Sequence, residues 1–195
     1  MGKGPRFRVP YRRRREKKTD YAARRIMATS DKPRFVIRIS NRNILVQVIE
    51  SRLEGDYVII EVHSNELYDM GWRASSKNTP AAYLVGYFAG LKAQDAGISE
   101  VILDMGLKRS TKGNKIFAVV KGANDAGLYV PCDSDVIPSP EQIDGSIISE
   151  YAKQMEDPLE YERRFSFYLR RGLRPESLPE HFEEVKTRIE ENSVE

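Results

Sequence analysis

Three short β-rich stretches joined by tight turns constrain this chain more than any other feature of its sequence. The stretches cover residues 34–40, 44–50 and 57–63, and the turns contain Asn41-Arg42-Asn43 and Glu54-Gly55-Asp56. β-branched runs bounded by such turn residues predict strands. Connections this short join antiparallel neighbours, so we predict an antiparallel meander.

A helix with signals at both ends follows the meander. Thr79 is a favourable N-cap, Pro80 suits the first helical position, and Gly97 suits the position after Ala96, where the helix should end. The GxxxG pattern at residues 86–90 indicates close packing of this helix on the sheet.

The rest of the core alternates between strands and helices. Residues 101–104 predict a short buried strand, residues 116–127 have helical spacing, and residues 128–130 predict one last short strand. A meander followed by this alternation predicts an α/β fold. We expect a three-layer mixed sheet of about five strands, with parallel crossovers and with helices on its faces.

The net charge of +3 conceals a strong segregation. Residues 1–25 contain 11 Lys/Arg and 2 Asp/Glu, residues 26–140 contain 13 of each, and residues 141–195 contain 8 and 14. Such a split is informative about partners rather than about fold. A basic segment favours a polyanion, whereas an acidic one is usually solvated or faces a basic partner.

We therefore predict three segments: a basic arm at 1–30, an α/β core domain at 31–132 and a charged helical C-terminal extension at 133–195. Residues 11–27 of the arm are a plausible helix without a continuous apolar face. The extension should contain helices over 140–155, from Pro158 to a stop at Gly172, and over 177–191.

The arm is the first candidate nucleic-acid surface. Arginine grips phosphate with a planar fork, and interleaved aromatic rings can stack on unpaired bases. A solubilising tail or a localisation signal is the alternative, although four consecutive arginines exceed what solubility requires. The candidate contacts are Arg6, Arg8, Tyr11, Arg12, Arg13, Arg14, Arg15, Lys17, Lys18, Tyr21, Arg24 and Arg25.

Two further segments of the core are candidate contacts. The loop before the second helix contains Lys108, Arg109 and Lys112, which we expect to contact RNA backbone, with a plain polar turn as the alternative. Residues 71–78 precede the first core helix, and a lone tryptophan there could stack on a base or anchor the core. The candidates in this segment are Trp72, Arg73, Lys77 and Asn78.

Catalytic signals are weak. The two histidines and Cys132 have no zinc-binding spacing, and the nucleophile-elbow and HExxH motifs are missing. Asp104 and Glu61 are the only carboxylates that suggest a metal pair, and Asp104 more simply caps the loop after its strand. No apolar stretch approaches the length of a membrane span, and no signal peptide is evident, so we expect a cytosolic protein without cofactors.

Five segments together cover roughly two-thirds of the chain: RRREKKTDY at 13–21, PRFVIRISN at 33–41, Gly71-Trp72 with Asn78 and PAAY at 80–83, ILDMGL at 102–107, and FAVVKGANDAGL at 117–128. In these segments, and in their order, the chain resembles the universal 5S-rRNA-binding protein of the large ribosomal subunit, the L-eighteen family, in its archaeal and eukaryotic-like form.

The resemblance implies a non-catalytic protein that binds 5S rRNA and helps attach it to the large-subunit rRNA in the central protuberance. It implies a ribonuclease-H-like core, a cytoplasmic location in the large subunit, and neighbouring ribosomal proteins as partners, including the L-five family. It also assigns RNA contact to the arm, to residues 72–78 and to the loop at 108–112. Two alternatives remain, a metal-dependent nuclease on the same fold class and a basic-tailed DNA-binding module.

Overall fold

A computed structural model describes residues 4–192, so the first three residues predicted for the arm and the last three predicted for the extension lie outside it. Its strands are β1 (Arg34–Ile39), β2 (Ile44–Arg52), β3 (Gly55–His63) and β4 (Ile102–Asp104). They form one sheet with the strand order β3-β2-β1-β4. β1 to β3 form the antiparallel meander, and β4 runs parallel to β1, which confirms the mixed α/β fold class.

The predicted fifth strand is reduced to a single bridge. Tyr129 pairs in parallel with Glu100, but no ladder continues from that pair. The side chain of Asn124 explains this: its amide oxygen accepts from the backbone N–H of Val130 at 2.7 Å, and its amide nitrogen donates to the Val130 carbonyl at 3.2 Å. Pro131 then offers no N–H at all, so a ladder cannot extend.

Nine α-helices and two short 3-10 helices, Ser134–Val136 and Pro175–Ser177, lie within the described range. The α-helices are α1 (Arg12–Arg15), α2 (Tyr21–Ala28), α3 (Glu66–Asp69), α4 (Thr79–Asp95), α5 (Lys115–Asp125), α6 (Pro140–Ile143), α7 (Ser146–Lys153), α8 (Pro158–Leu169) and α9 (Leu178–Asn192).

Two predicted helices are each broken in two. In the arm, Lys17 has a left-handed backbone (φ 53°), and Asp20 then starts α2 by accepting the N–H groups of Ala22 and Ala23. In the extension, Gly145 adopts φ 87° between α6 and α7. A left-handed residue cannot continue a right-handed helix, so each break has a local cause.

The GxxxG pattern of α4 faces α5 and not the sheet, so that part of the prediction was wrong. A β-carbon added at Gly86 would lie 2.0 Å from the backbone oxygen of Val119, and one added at Gly122 of α5 would lie 2.2 Å from the backbone oxygen of Tyr83. Glycines on both helices therefore allow backbone-to-backbone contact. The two helices pack as a pair on the face of the sheet that carries Phe35.

Both ends of α4 follow simple rules. Asn78, rather than the predicted Thr79, is the N-cap, and its side chain accepts the N–H of Ala81 at 2.8 Å. Gly97 ends the helix with φ 74°, as predicted.

The C-terminal extension shares the hydrophobic core of the sheet domain. Its last helix buries an apolar stripe at helical spacing, and α8 adds Phe165 and Tyr168 to the same cluster. The division into three segments stays a prediction, but the second and third are packed together. The buried stripe consists of Leu178, Phe182, Val185 and Ile189.

Within residues 4–192, we find no helix that is both long enough and apolar enough to cross a membrane.

Candidate nucleic-acid interface

Most cationic side chains of the basic arm are exposed to solvent. Among its predicted contact residues, only Tyr21 and Arg24 are half-buried, and the others are exposed. Glu16 is the one acidic residue that pairs within this stretch: its carboxylate lies 3.8 Å from Arg12 Nε and 3.1 Å from Lys18 Nζ. Several guanidinium groups form no ion pair with any described residue, namely those of Arg6, Arg8, Arg13, Arg14, Arg15 and Arg25.

The aromatic residues of the arm contact each other. The rings of Tyr11 and Tyr21 have centroids 5.3 Å apart at an interplanar angle of 30°, and Tyr11 is 73% exposed. One face of the pair is therefore open for stacking, which is compatible with the predicted role. RNA contact by either ring remains a prediction.

A charge network ties the arm to the sheet on the side opposite the α4–α5 pair. Arg24 of α2 donates to Asp56 at 2.7 Å, and Asp56 also lies 2.7 Å from Nη2 of Arg34. Arg34 reaches Asp104 at 3.4 Å, and Arg38 donates to Asp104 at 2.8 Å. Alternation along β1 places Arg34 and Arg38 on one face and Phe35 on the other.

Arg34 is the buried centre of this network. Its side chain is only 2% exposed, and its Nε has no hydrogen-bond partner among the described residues. Its Nη2 lies 2.7 Å from a carboxylate oxygen of Asp56. Burial alone would raise the pKa of Asp56, but the guanidinium groups of Arg34 and Arg24 outweigh burial and lower that pKa below its ordinary value.

The loop between β4 and α5 presents its cations to solvent. Asp104 caps it by accepting the N–H of Gly106 at 2.9 Å, as the simpler interpretation of that residue predicted. Lys108 and Arg109 are exposed and form no ion pair with a described residue, whereas Lys112 lies 3.4 Å from the equally exposed Asp135. Such an exposed pair is weak, so all three cations stay available to a polyanion.

Within residues 71–78, the tryptophan belongs to the core and not to the surface. Trp72 is 1% exposed, stacks on His181 of α9 with ring centroids 5.2 Å apart, and donates its indole N–H to the Ser75 carbonyl at 3.2 Å. No ring face is left for a base, so Trp72 is a core anchor and we withdraw it as an RNA contact. Asn78 is likewise engaged, both as the α4 cap and through Tyr168, to whose hydroxyl it donates at 3.3 Å.

The two cationic residues of the segment 71–78 differ in exposure and in their contacts. Arg73 is exposed, and its backbone N–H donates to Nε2 of His181 at 3.0 Å. Lys77 is half-buried, and its ammonium donates to the carbonyl of Asn41 in the β1–β2 turn at 3.1 Å. RNA contact by Arg73 and Lys77 remains a prediction.

One nearby cation was missed by the sequence reasoning. Lys115 is half-buried at the start of α5, and burial together with the charge of Lys77 lowers the pKa of its ammonium group. No carboxylate in the described part of the chain pairs with Lys115 or with Lys77. A local sequence signal could have identified this cation, because Lys115 directly follows Asn114, whose side chain caps α5.

The metal-pair alternative is incompatible with the sheet order. Glu61 lies on β3 and Asp104 on β4, which are separated by two strands and therefore by roughly 14 Å. Two-metal hydrolytic sites hold their ions about 4 Å apart. Among residues 4–192, no group of three or more metal-ligating side chains is present.

Comparison with known proteins gives consistent matches over most of the chain. The model of a family described as ribosomal large subunit proteins 60S L5 and 50S L18 matches residues 5–98 and 91–133.

Three relatives, each named large ribosomal subunit protein uL18, are similar over nearly their whole length. The relative from Ignicoccus hospitalis is 51% identical over 98% of this chain and 95% of its own. The relative from Aeropyrum pernix is 49% identical over 98% and 91%, and that from Methanothermobacter thermautotrophicus is 47% identical over 98% and 99%.

Proposed function

The chain belongs to the family of ribosomal large subunit proteins 60S L5 and 50S L18, and from that premise we propose that it binds 5S rRNA and helps attach it to the large-subunit rRNA in the central protuberance. It is a non-enzymatic structural component of the large ribosomal subunit in the cytoplasm. Its proposed partners are 5S rRNA, large-subunit rRNA and neighbouring ribosomal proteins, including one of the L-five family.

The observation that carries the RNA proposal is the pairing of a cationic arm with a cationic loop. The arm is held on the sheet through Arg24 and Asp56, and the loop is held at the neighbouring strand end through Asp104. Because Arg34 joins the two aspartates, both surfaces belong to one charge network. A polyanion can therefore contact both while the folded core fixes their relative position.

In our proposal the arm and the loop make different contributions to RNA binding. The exposed arm cations release counterions from RNA phosphates, so the arm supplies much of the affinity and most of the salt dependence. The loop sits on a rigid strand end and sets the register of the RNA on the core. Lys77 and Lys115 extend the cationic surface towards the β1–β2 turn.

The first test measures the affinity of the full chain for 5S rRNA, and its salt dependence, by filter binding. Deleting residues 1–25 should weaken binding and flatten the dependence of log K on log salt, because the slope falls by about 0.7–0.9 for each lost phosphate contact. Replacing Lys108, Arg109 and Lys112 together should cost less than the deletion. A larger loss from the loop variant would reverse our ranking of the two surfaces.

A charge-matched control separates specific contact from net charge. Replacing Arg12–Arg15 by Gln removes four exposed cations of the arm, and replacing four exposed cations of the extension by Gln removes the same charge elsewhere: Lys153, Arg163, Arg170 and Arg174. Only the first change should flatten the salt dependence. An equal effect of both, or equal affinity for 5S rRNA and duplex DNA at one salt concentration, would refute the proposal.

A further inference from the structure

A cleft of about 570 Å³ separates the basic arm from the core. We call it the arm–core cleft, and two kinds of side chain line it. The apolar lining comes from α2 and the loop after β4, and consists of Ala23, Met27, Met105 and Leu107. The cationic lining comes from the arm and the loop, and includes Arg13, Lys17, Lys18 and Lys108.

The two linings differ in depth. Met27 and Met105 are half-buried, so apolar groups form the inner part of the cleft. The cations are exposed and therefore lie towards its mouth. An occupant would meet an apolar surface inside and positive charge outside.

The carboxylates near the cleft do not cancel this charge. Asp104 is engaged by Arg34, by Arg38 and by the loop N–H, and Asp20 accepts two N–H groups at the start of α2. Lys17 and Lys108 have no ion-pair partner in the described part of the chain. The mouth of the cleft therefore keeps a net positive charge.

We propose that the arm–core cleft holds one unpaired nucleotide of the bound RNA, with the base among the apolar side chains and its flanking phosphates on the cations. The volume lies within the roughly 300–1,000 Å³ typical of small-ligand pockets. Bases within a duplex are stacked and paired, whereas a splayed base offers a flat apolar face. This inference rests on the proposed function and adds a site at which the same nucleotide touches both arm and core.

Two neighbouring alanines of α2 provide a matched test. Ala23 lines the cleft and Ala22 does not, although both are exposed and both donate only their backbone N–H to Asp20. Ala23→Phe would fill the cleft without removing a charge, and Ala22→Phe would add the same bulk outside it. Leu107→Ser, at a side chain that is 57% exposed, reduces the apolar lining from the loop side.

Fluorescence anisotropy of the full chain would be recorded with two probes, a random-sequence single-stranded oligoribonucleotide pool and a blunt RNA duplex of equal length. Ala23→Phe should weaken single-strand binding by about tenfold, the loss expected when one base loses its stacking surface. Ala22→Phe should change it by less than about twofold. Leu107→Ser should also weaken it, and duplex binding should be the same for all variants.

Two results would overturn the proposal: equal single-strand affinity of the two phenylalanine variants, or equal losses on the single strand and the duplex. Circular dichroism on each variant establishes that the folds match. Failure of the 5S rRNA proposal would appear separately, as a lack of preference for 5S rRNA, and would leave the ratio between the phenylalanine variants intact.

Discussion

Replacing Asp104 by Asn should destabilise the protein far more than the loss of one ion pair at its surface. The change keeps the shape of the side chain and an oxygen for the loop N–H, but it removes a negative charge beside the buried guanidinium of Arg34. Asp104 is 6% exposed and Arg34 is 2% exposed. After the substitution, Arg34 would depend on Asp56, which it already shares with Arg24.

The magnitude follows from distance and burial. Two unit charges 3.4 Å apart interact by about 5 kcal/mol at an effective dielectric constant of 20. Asp56 and local relaxation recover part of that energy, and breaking a buried pair typically costs about 3–5 kcal/mol. We expect a loss of about 3 kcal/mol in the free energy of unfolding.

The chain contains a matched control at the same separation. Lys112 and Asp135 are also 3.4 Å apart, but their side chains are 75% and 71% exposed. Asp135→Asn should therefore change stability by less than about 0.5 kcal/mol. The two pairs share their charges and distance, and they differ in burial and in the second partner of Asp104, the part-exposed Arg38 at 2.8 Å.

Urea unfolding, followed by circular dichroism and by the fluorescence of the single tryptophan, measures both variants. The cost of Asp104→Asn should persist at about 1 M salt, whereas any small effect of Asp135→Asn should vanish, because screening acts mainly on exposed pairs. If the two variants lose the same free energy of unfolding, the burial of Arg34 does not determine how much this network contributes to stability, and the prediction is wrong.

Two further predictions concern the contact between α9 and residues 71–78. Burial lowers the pKa of His181, with Arg73 adding to the effect and Glu184 opposing it, and its neutral Nε2 accepts the N–H of Arg73. Stability should therefore be complete above the ordinary pKa of about 6.5 and fall as the pH drops below it towards the folded value. Urea unfolding at pH 7.5 and at pH 5.5 measures this loss of stability. His181→Gln should remove most of the difference in unfolding free energy between the two pH values, and His63→Gln should leave that difference in place. If both variants keep the full difference, His181 does not cause it. Trp72→Phe should lower stability but leave 5S rRNA affinity within about twofold, and a tenfold loss of affinity in the folded variant would restore Trp72 as an RNA contact.

Local patterns were sufficient for the sheet meander and for the C-terminal end of α4, and they placed its start within one residue. Short turns permit only antiparallel pairing, and a glycine after a helix acts through its own backbone, so neither depends on distant residues. The exposed cations of the arm and of the loop were also apparent from sequence, since their clustering exceeds what a solvated surface requires. The resemblance to a ribosomal family rested on ordered motifs and was confirmed by the comparisons.

The remaining features depended on what each residue meets in three dimensions. Trp72 could stack on a base or anchor the core, and the choice was made by α9, more than a hundred residues later, which places His181 against the ring. Gly86 signalled close packing, but only the fold shows that the partner is α5 rather than the sheet. The predicted fifth strand does not form because the side chain of Asn124 hydrogen-bonds to the backbone N–H and carbonyl of Val130.

The sequence by itself determined that this chain has a meander, two core helices and a segregated positive charge, because hydrophobic period, turn chemistry and charge are properties of neighbouring residues. Only the tertiary structure decided that Arg34 is buried between two aspartates, and that a cleft remains between arm and core. Both depend on the strand order β3-β2-β1-β4, which brings Asp56 and Asp104 to the same face as Arg34 from opposite edges of the sheet. Residues from distant segments come into contact on that face of the sheet, and no local sequence pattern predicts this contact.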